Sequence, residues 1–197
     1  YRKLRETYDV LTLTQTPELA AQVSLEPINI HNVDAAILFA DIMLLPIAMG
    51  IEVKIIDAVG PVIDKPISTP ADLAMLEPFA VEMIEFLQQT IRILRGELTV
   101  PLIGFAGAPF TVASYLIEGK PTRTWHKTKH FMLTYPDAWH TLMSTLSDAT
   151  VQYLKAQVEA GAQAGVYAFA HRAFDSLSLY RWSPYGLVRN NPALTSP

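Results

Sequence analysis

Three short apolar runs, separated by long stretches with helical spacing, constrain the fold of this chain more than any other feature of its sequence. The runs are residues 35–40 (AAILFA), 100–106 (VPLIGFA) and 162–170 (AQAGVYAFA). None of them alternates strictly between apolar and polar residues, so each predicts a strand that is buried on both faces. Strands of this kind, alternating with helices, indicate βαβ units and a parallel sheet.

The ends of several other elements can be predicted from proline, threonine and glycine. A Thr-Pro pair at residues 16–17 predicts the start of a helix, and we expect Pro27 to end it. Apolar residues at helical spacing over residues 84–94 predict another helix, with Gly96 as its stop. Residues 52–64 (EVKIIDAVGPVID) predict a small hairpin after the first strand.

The composition excludes several classes of protein. Of the 197 residues, 50% are hydrophobic and 17% charged, which excludes a disordered chain. The formal net charge of −4 argues against a nucleic-acid-binding surface. The sequence contains no cysteine, which excludes disulfides, thiolate metal sites and cysteine nucleophiles within it, and we expect a cytoplasmic location. Residues 35–51 are the most apolar stretch, but Asp41 and Pro46 interrupt it and it is shorter than a membrane span of roughly 20 residues.

Doubly wound sheets and (β/α)₈ barrels share this local pattern of strands and helices. No G-x-G-x-x-G sequence and no P-loop follows any of the three runs, which disfavours a nucleotide-binding sheet. A full barrel takes about 250 residues, and only three strands are predicted here. The sequence therefore predicts an α/β protein of the TIM-barrel type, with only part of the barrel present in this chain.

Ligands of such folds bind at the carboxyl ends of the strands, and Asp41 directly follows the first predicted strand. Phe39, Ile42 and Met43 surround it in sequence with apolar groups. In that setting a carboxylate could accept several N–H donors or stabilise a developing cation. The alternative is that Asp41 only caps the turn that follows.

The second predicted strand is followed by residues 104–111 (GFAGAPFT), which contain two glycines. We expect these glycines to allow close approach of the backbone to a ligand, and Pro109 to begin a helix that carries Tyr115. The Tyr115 hydroxyl could reach a ligand over the strand ends. The alternative is an ordinary core tyrosine with a satisfied hydroxyl.

Two histidines, His126 and His130, lie four residues apart, a spacing that would suit a metal ion on a helix. Their neighbours Arg123, Lys127 and Lys129 are cationic, and no acidic third ligand is near in sequence. We therefore predict a solvated basic face here and no metal site.

At these residues the chain resembles a known family. Residues 104–119 (GFAGAPFTVASYLIEG) resemble the second signature of uroporphyrinogen decarboxylases. The earlier runs YRKLRETYDVLTLTQTPELAAQVSLEPI and VDAAILFADIMLLPIAMGIEV resemble the segments that precede it in the family, and TYPDAWHTLMSTLSDATVQYLKAQVEAGAQA resembles a later one. The resemblance covers residues 1–164, which we predict to be a partial barrel, and it leaves residues 165–197 as a divergent tail.

This resemblance implies a fold, a reaction and a set of site residues. The family is a cofactor-free (β/α)₈ barrel, a homodimer when intact, that removes four acetate carboxyls from uroporphyrinogen III to give coproporphyrinogen III in haem biosynthesis. Asp41 matches the aspartate that binds the central pyrrole N–H groups and stabilises a cationic intermediate. Tyr115 matches a tyrosine that contacts the substrate, Arg5 a basic residue that receives its carboxylates, and Ser176 a substrate-binding serine displaced by about six residues.

The departures from the family limit what this chain is expected to do alone. The family's arginine-containing M-R-Q-A-G-R stretch and its late strands have no counterpart in this sequence, so we expect weak or no decarboxylation by this chain alone. Residues 171–197 contain three prolines and no long apolar stripe, and we expect them to be irregular. Two alternatives remain: an inactive relative that binds a tetrapyrrole or a protein partner, and a cobamide-dependent methyltransferase of the same fold.

Overall fold

A parallel three-stranded sheet is the centre of the computed structural model, which describes residues 1–56 and 58–168. The sheet has the strand order β1–β4–β5, and a separate antiparallel hairpin is formed by β2 and β3. The strands are β1 (Ala36–Ile37), β2 (Lys54–Ile56), β3 (Gly60–Val62), β4 (Leu102–Gly107) and β5 (Ala164–Ala168).

Helices connect these strands and follow them in the order that the sequence predicts. Two 3₁₀ helices, Pro70–Met75 and Val81–Ile84, lie between the hairpin and the first long helix after it. The α-helices are α1 (Arg2–Arg5), α2 (Val10–Gln15), α3 (Pro17–His31), α4 (Leu44–Ile47), α5 (Glu85–Glu97), α6 (Pro109–Glu118), α7 (His126–Thr134) and α8 (Pro136–Ala160).

The parallel sheet confirms the prediction from the three apolar runs, but burial on both faces is wrong for Ile37 in β1 and for residues 164–166 in β5, which are exposed. Ile37 in β1 is 57% exposed and Val166 in β5 is 41% exposed. Both lie on the sheet face opposite the helices, whereas Ala36 and Leu102 are buried beneath α3, α5 and α8. In a closed barrel that open face is filled by side chains from the remaining strands, which this part of the chain does not supply.

Two predicted helix ends are wrong by a few residues. Pro27 lies inside α3, which continues to His31 and ends where Asn32 adopts a left-handed conformation (φ 48°). The helix continues past Pro27 at the cost of one backbone hydrogen bond. Gly96 lies within α5, which ends at Glu97, because nothing in the surrounding structure requires a turn at the glycine.

The predicted hairpin is confirmed, and it is attached to the end of α6. Strands β2 and β3 pair antiparallel, with Lys54 opposite Val62, and the Lys54 ammonium forms an ion pair with Asp64. Just after the hairpin, the Ile63 N–H donates to the Gly119 carbonyl at 2.8 Å. The hairpin therefore positions the chain that follows α6.

Two predictions fall at or beyond the end of the described residues. The predicted boundary between residues 164 and 165 falls within β5, which pairs with β4 along its whole length. Ser176 and the irregular structure predicted for residues 171–197 lie outside the described residues. Within the described ranges, no helix combines the length and the apolar character needed to span a bilayer.

The central strand depends on a buried glutamine. The Gln157 side chain, wholly buried on α8, accepts a hydrogen bond from the Phe105 N–H at 2.8 Å and donates to the Phe105 carbonyl at 2.9 Å. Pairing between β1 and β4 ends where the Leu38 N–H donates to the Ile103 carbonyl. Phe105 lies two residues after Ile103 in β4, so its N–H and C=O point to the same side of the strand as the Ile103 carbonyl. Gln157 bonds to these two groups in place of β1, which does not extend that far.

We expect Gln157→Leu to destabilise the protein by about 2–4 kcal/mol, because it leaves a buried N–H and a buried C=O without partners. Gln152→Leu is the matched control, since Gln152 lies on the exposed side of the same helix. Urea unfolding of the two variants measures the difference. Equal stability of both variants would show that the Gln157 bonds contribute nothing.

Candidate functional site

Asp41 lies just beyond the carboxyl end of β1 and caps the turn before α4. Its Oδ1 accepts a hydrogen bond from the Met43 N–H at 2.7 Å, and its backbone carbonyl accepts one from Leu44. The capping alternative is therefore realised in the structure. Among the described residues, Met43 is the only donor to this carboxylate, which leaves Oδ2 available to a ligand.

The environment of Asp41 disfavours its charge. Burial raises the pKa of this carboxyl above its ordinary value, and the Met43 N–H opposes the shift only in part. No described cation contributes to the pKa of Asp41. An ionised carboxylate in such a site is stabilised when a ligand brings N–H donors or positive charge to it.

Tyr115, on the first helix after β4, shares this site with Asp41. It is half-buried, and burial followed by the nearby charge of Asp41 raises the pKa of its hydroxyl. Because β1 and β4 are parallel neighbours, the segments that follow their carboxyl ends lie side by side. The structure thus brings the Asp41 carboxylate and the Tyr115 hydroxyl within electrostatic reach of each other.

The charge of Asp41 also affects a second tyrosine, Tyr153 on α8. Tyr153 is only 1% exposed, and its ring makes an edge contact with Phe79 at a centroid distance of 6.2 Å. Burial, and then the charge of Asp41, raise the pKa of the Tyr153 hydroxyl, so it stays protonated at neutral pH. The sequence pattern places Tyr153 on the apolar side of a helix. A polar hydroxyl on that apolar side is the one signal that could have identified Tyr153 as a candidate site residue.

The two glycines near β4 serve packing, and the prediction that they make room for a ligand is wrong. A Cβ on Gly104 would lie 2.5 Å from the Gln157 Oε1. A Cβ on Gly107 would lie 2.8 Å from Val112 Cγ2 and 3.1 Å from Ile42 Cβ. Side chains of the protein itself therefore fill the space that both glycines leave open.

The structure records other contacts for the remaining predicted residues. One nitrogen of Arg5, Nη1, donates to the Tyr8 carbonyl at 2.7 Å, and the guanidinium helps to lower the pKa of Asp9. Arg5 is thus placed at the turn between α1 and α2. His126 and His130 are exposed on α7. The described residues contain no group of three side chains that could hold a metal ion.

A parallel sheet covered by helices, with polar groups beyond the carboxyl ends of neighbouring strands, defines part of an α/β barrel. A methyltransferase from Methanosarcina mazei has a similar solved structure, with a TM-score of 0.63 and 23% identity over 77% of this chain and 45% of that one. At this identity the likeness shows the fold alone.

The profile of the family Uroporphyrinogen decarboxylase (URO-D) matches residues 1–176, so the chain belongs to the uroporphyrinogen decarboxylase family. The chain is 51% identical to a uroporphyrinogen decarboxylase of Bacillus cytotoxicus, over 83% of its own length and 48% of the relative's. It is 49% identical to that of Bacillus subtilis, over 83% of its own length and 47% of the relative's. The chain therefore spans about half the length of these curated relatives.

We expect Asp41→Asn to make the protein more stable than the wild type at neutral pH, because Asn keeps the acceptor for Met43 without the buried charge. The folded pKa is raised, so wild-type stability falls as pH rises from the ordinary value of 3.8 through the raised one. The advantage of the variant should grow over that range. Thermal unfolding between pH 4 and 8 measures it.

Asp9→Asn is the control for that experiment, since the Thr12 N–H lowers the pKa of Asp9. The folded pKa is lowered, so the Asp9 carboxylate contributes stability that is fully present above the ordinary value of 3.8 and is lost only below it. Between pH 4 and 8 the Asp9→Asn protein should therefore be less stable than the wild type by a constant amount. An Asp41→Asn protein that is less stable than the wild type at every pH would contradict the account of Asp41.

Proposed function

We propose that this chain acts in the decarboxylation of uroporphyrinogen III to coproporphyrinogen III, in which four acetate side chains lose CO₂. The observation that carries the proposal is the Asp41 carboxylate, which is buried without a compensating cation among the described residues and lies beside Tyr115. A tetrapyrrole supplies what this carboxylate lacks, because its pyrrole N–H groups are donors and its protonated ring is a cation. Membership of the family supports the same substrate.

In the proposed mechanism Asp41 stabilises the charge that develops on the substrate. Protonation of a pyrrole ring creates a positive charge, and the carbon–carboxyl bond breaks as its electron pair moves into that ring. CO₂ leaves, the remaining methylene group takes a proton to become a methyl group, and the ring then releases the proton that it took at the start, which restores the neutral pyrrole. A fixed carboxylate in a partly buried site stabilises such a cation strongly, because little water screens the interaction.

Two tyrosines, Tyr115 and Tyr153, belong to the proposed site. Both hydroxyls remain protonated at neutral pH, since burial raises the pKa of each, so both are able to donate hydrogen bonds. We assign contact with the substrate to Tyr115, which is partly exposed. Tyr153 is enclosed in the core, where the charge of Asp41 still affects its hydroxyl.

The outer parts of the substrate carry carboxylates, and we propose Arg5 and Ser176 as residues that receive them. A guanidinium group suits a carboxylate because it offers paired donors in one plane. The reaction as proposed needs proton transfer and charge stabilisation, which side chains supply, so no cofactor is included. We further propose a cytoplasmic location and a homodimer for the intact enzyme, both of which rest on membership of the family.

The test is binding and turnover of uroporphyrinogen III by the purified chain under anaerobic conditions. We expect the wild type to bind and to convert substrate far more slowly than a full-length relative, because the chain spans about half of that length. Asp41→Asn should weaken binding at least about ten-fold, which corresponds to about 1.4 kcal/mol. Asp148→Asn, an exposed aspartate on α8, is the matched control and should bind like the wild type.

The outcomes separate the proposal from its alternatives. Binding with slow turnover supports the enzyme, and binding with no turnover at all supports the relative that only binds a tetrapyrrole. Unchanged binding by Asp41→Asn, or no binding by the wild type, would contradict the proposed site. Light scattering on a full-length relative tests the homodimer, and a mass that equals one chain would contradict it.

A further inference from the structure

The segment between α6 and the middle of α7 is strongly basic. Residues 120–130 (KPTRTWHKTKH), which we call the basic segment, contain four of the 15 Lys and Arg residues, two His and no acidic residue, in a chain of net charge −4. Within the described part of the chain, no ion pair involves Lys120, Arg123 or Lys127. The exposed members of the segment are Lys120, Arg123, His126, Lys127 and His130.

The nearest acidic residue in sequence does not neutralise this surface. Glu118 is buried, and its Oε1 accepts hydrogen bonds from both the N–H and the hydroxyl of Thr128, each at 3.0 Å. Its carboxylate thus ties the end of α6 to α7. Lys120, Arg123 and Lys127 form no ion pair with the described residues, so they leave a locally positive surface that suits an anionic ligand.

The basic segment is held close to the candidate site. It begins just after α6 ends, and the Gly119 N–H, next to Lys120, donates to the Tyr115 carbonyl at 2.9 Å, so the segment starts about one helical turn, ~5.4 Å, beyond Tyr115. The hairpin fixes its start, since Ile63 donates to Gly119 and Pro121 Cγ lies 3.1 Å from the position of a Cβ on Gly60. The distance between Tyr115 and the start of the basic segment is within one Debye length at physiological ionic strength. The positive field of the segment therefore reaches the Tyr115 side of the site.

We propose that the basic segment is a capture surface for the carboxylate side chains of a polyacidic tetrapyrrole on its way to Asp41. The inference rests on the proposed function. A polyanion approaching a protein of net charge −4, whose site itself contains a carboxylate, is repelled over most of the surface. Exposed cations beside the site reverse that repulsion locally and raise the rate of association.

The test compares two double variants that remove the same charge. Arg123→Gln with Lys127→Gln neutralises the basic segment, whereas Arg92→Gln with Lys155→Gln neutralises exposed cations on α5 and α8. Stopped-flow fluorescence measures the association rate constant for uroporphyrin, a stable polyacid, at several NaCl concentrations. We expect the first variant to associate about three- to ten-fold more slowly at low salt and to depend less on salt, with the control close to the wild type.

A charge-conserving variant, Arg123→Lys with Lys127→Arg, should keep the wild-type rate and salt dependence. Equal effects of the two neutralising variants, or none from the first, would overturn the capture surface while leaving binding at Asp41 intact. A wild type that binds no tetrapyrrole would overturn this inference together with the proposed function. We expect Asp41→Asn to lose affinity with an unchanged association rate. That result would show that affinity depends on Asp41 and the association rate on the basic segment, as proposed.

Discussion

The position of the candidate site depends on where strand β1 separates from strand β4. Beyond Leu38 the ladder between them stops, and two side chains from the surrounding helices satisfy the freed backbone groups. The Phe39 N–H donates to the Ser24 hydroxyl at 2.8 Å, and Gln157 bonds to both backbone groups of Phe105. Without these bonds the strand ends would leave buried polar groups unpaired, at a cost of about 1–3 kcal/mol each. With them, the chain can turn away from the sheet and present Asp41 beside the helix that carries Tyr115.

At Asp41, the arrangement that suits the proposed function lowers the stability of the fold. The Asp41 carboxylate has one backbone donor and is partly removed from water, so burial raises its pKa and disfavours its charge. A residue that breaks a local rule of this kind is often retained for its function. Here the missing stabilisation is what a cationic, N–H-bearing ligand would provide. In the proposed function the basic segment acts on the same ligand at longer range: it attracts the acidic periphery, and Asp41 stabilises the positive centre.

The sequence predicts those features that depend on local pattern. The three apolar runs become the parallel strands, and the rule that ligands bind at carboxyl strand ends selects Asp41 and Tyr115, which lie close together in the structure. Features that depend on contacts between distant segments could not be predicted. Gly104 leaves space for Gln157, 53 residues later in the chain, and α3 continues through Pro27 until Asn32 adopts a left-handed conformation. Tyr153 resembles any other residue of an apolar helix stripe until the fold places it near Asp41.

The central claim is that the Asp41 carboxylate and the two tyrosine hydroxyls form one electrostatic unit at the ends of β1 and β4. Carbon-13 NMR of the wild-type chain, with Asp41→Asn used to assign the signal, measures this directly. The account predicts that the Asp41 carboxyl titrates above its ordinary pKa of 3.8 and that the ring carbons bonded to the Tyr115 and Tyr153 oxygens shift with the same midpoint. An Asp41 carboxyl that titrates at its ordinary value, with no response from either tyrosine, would contradict it.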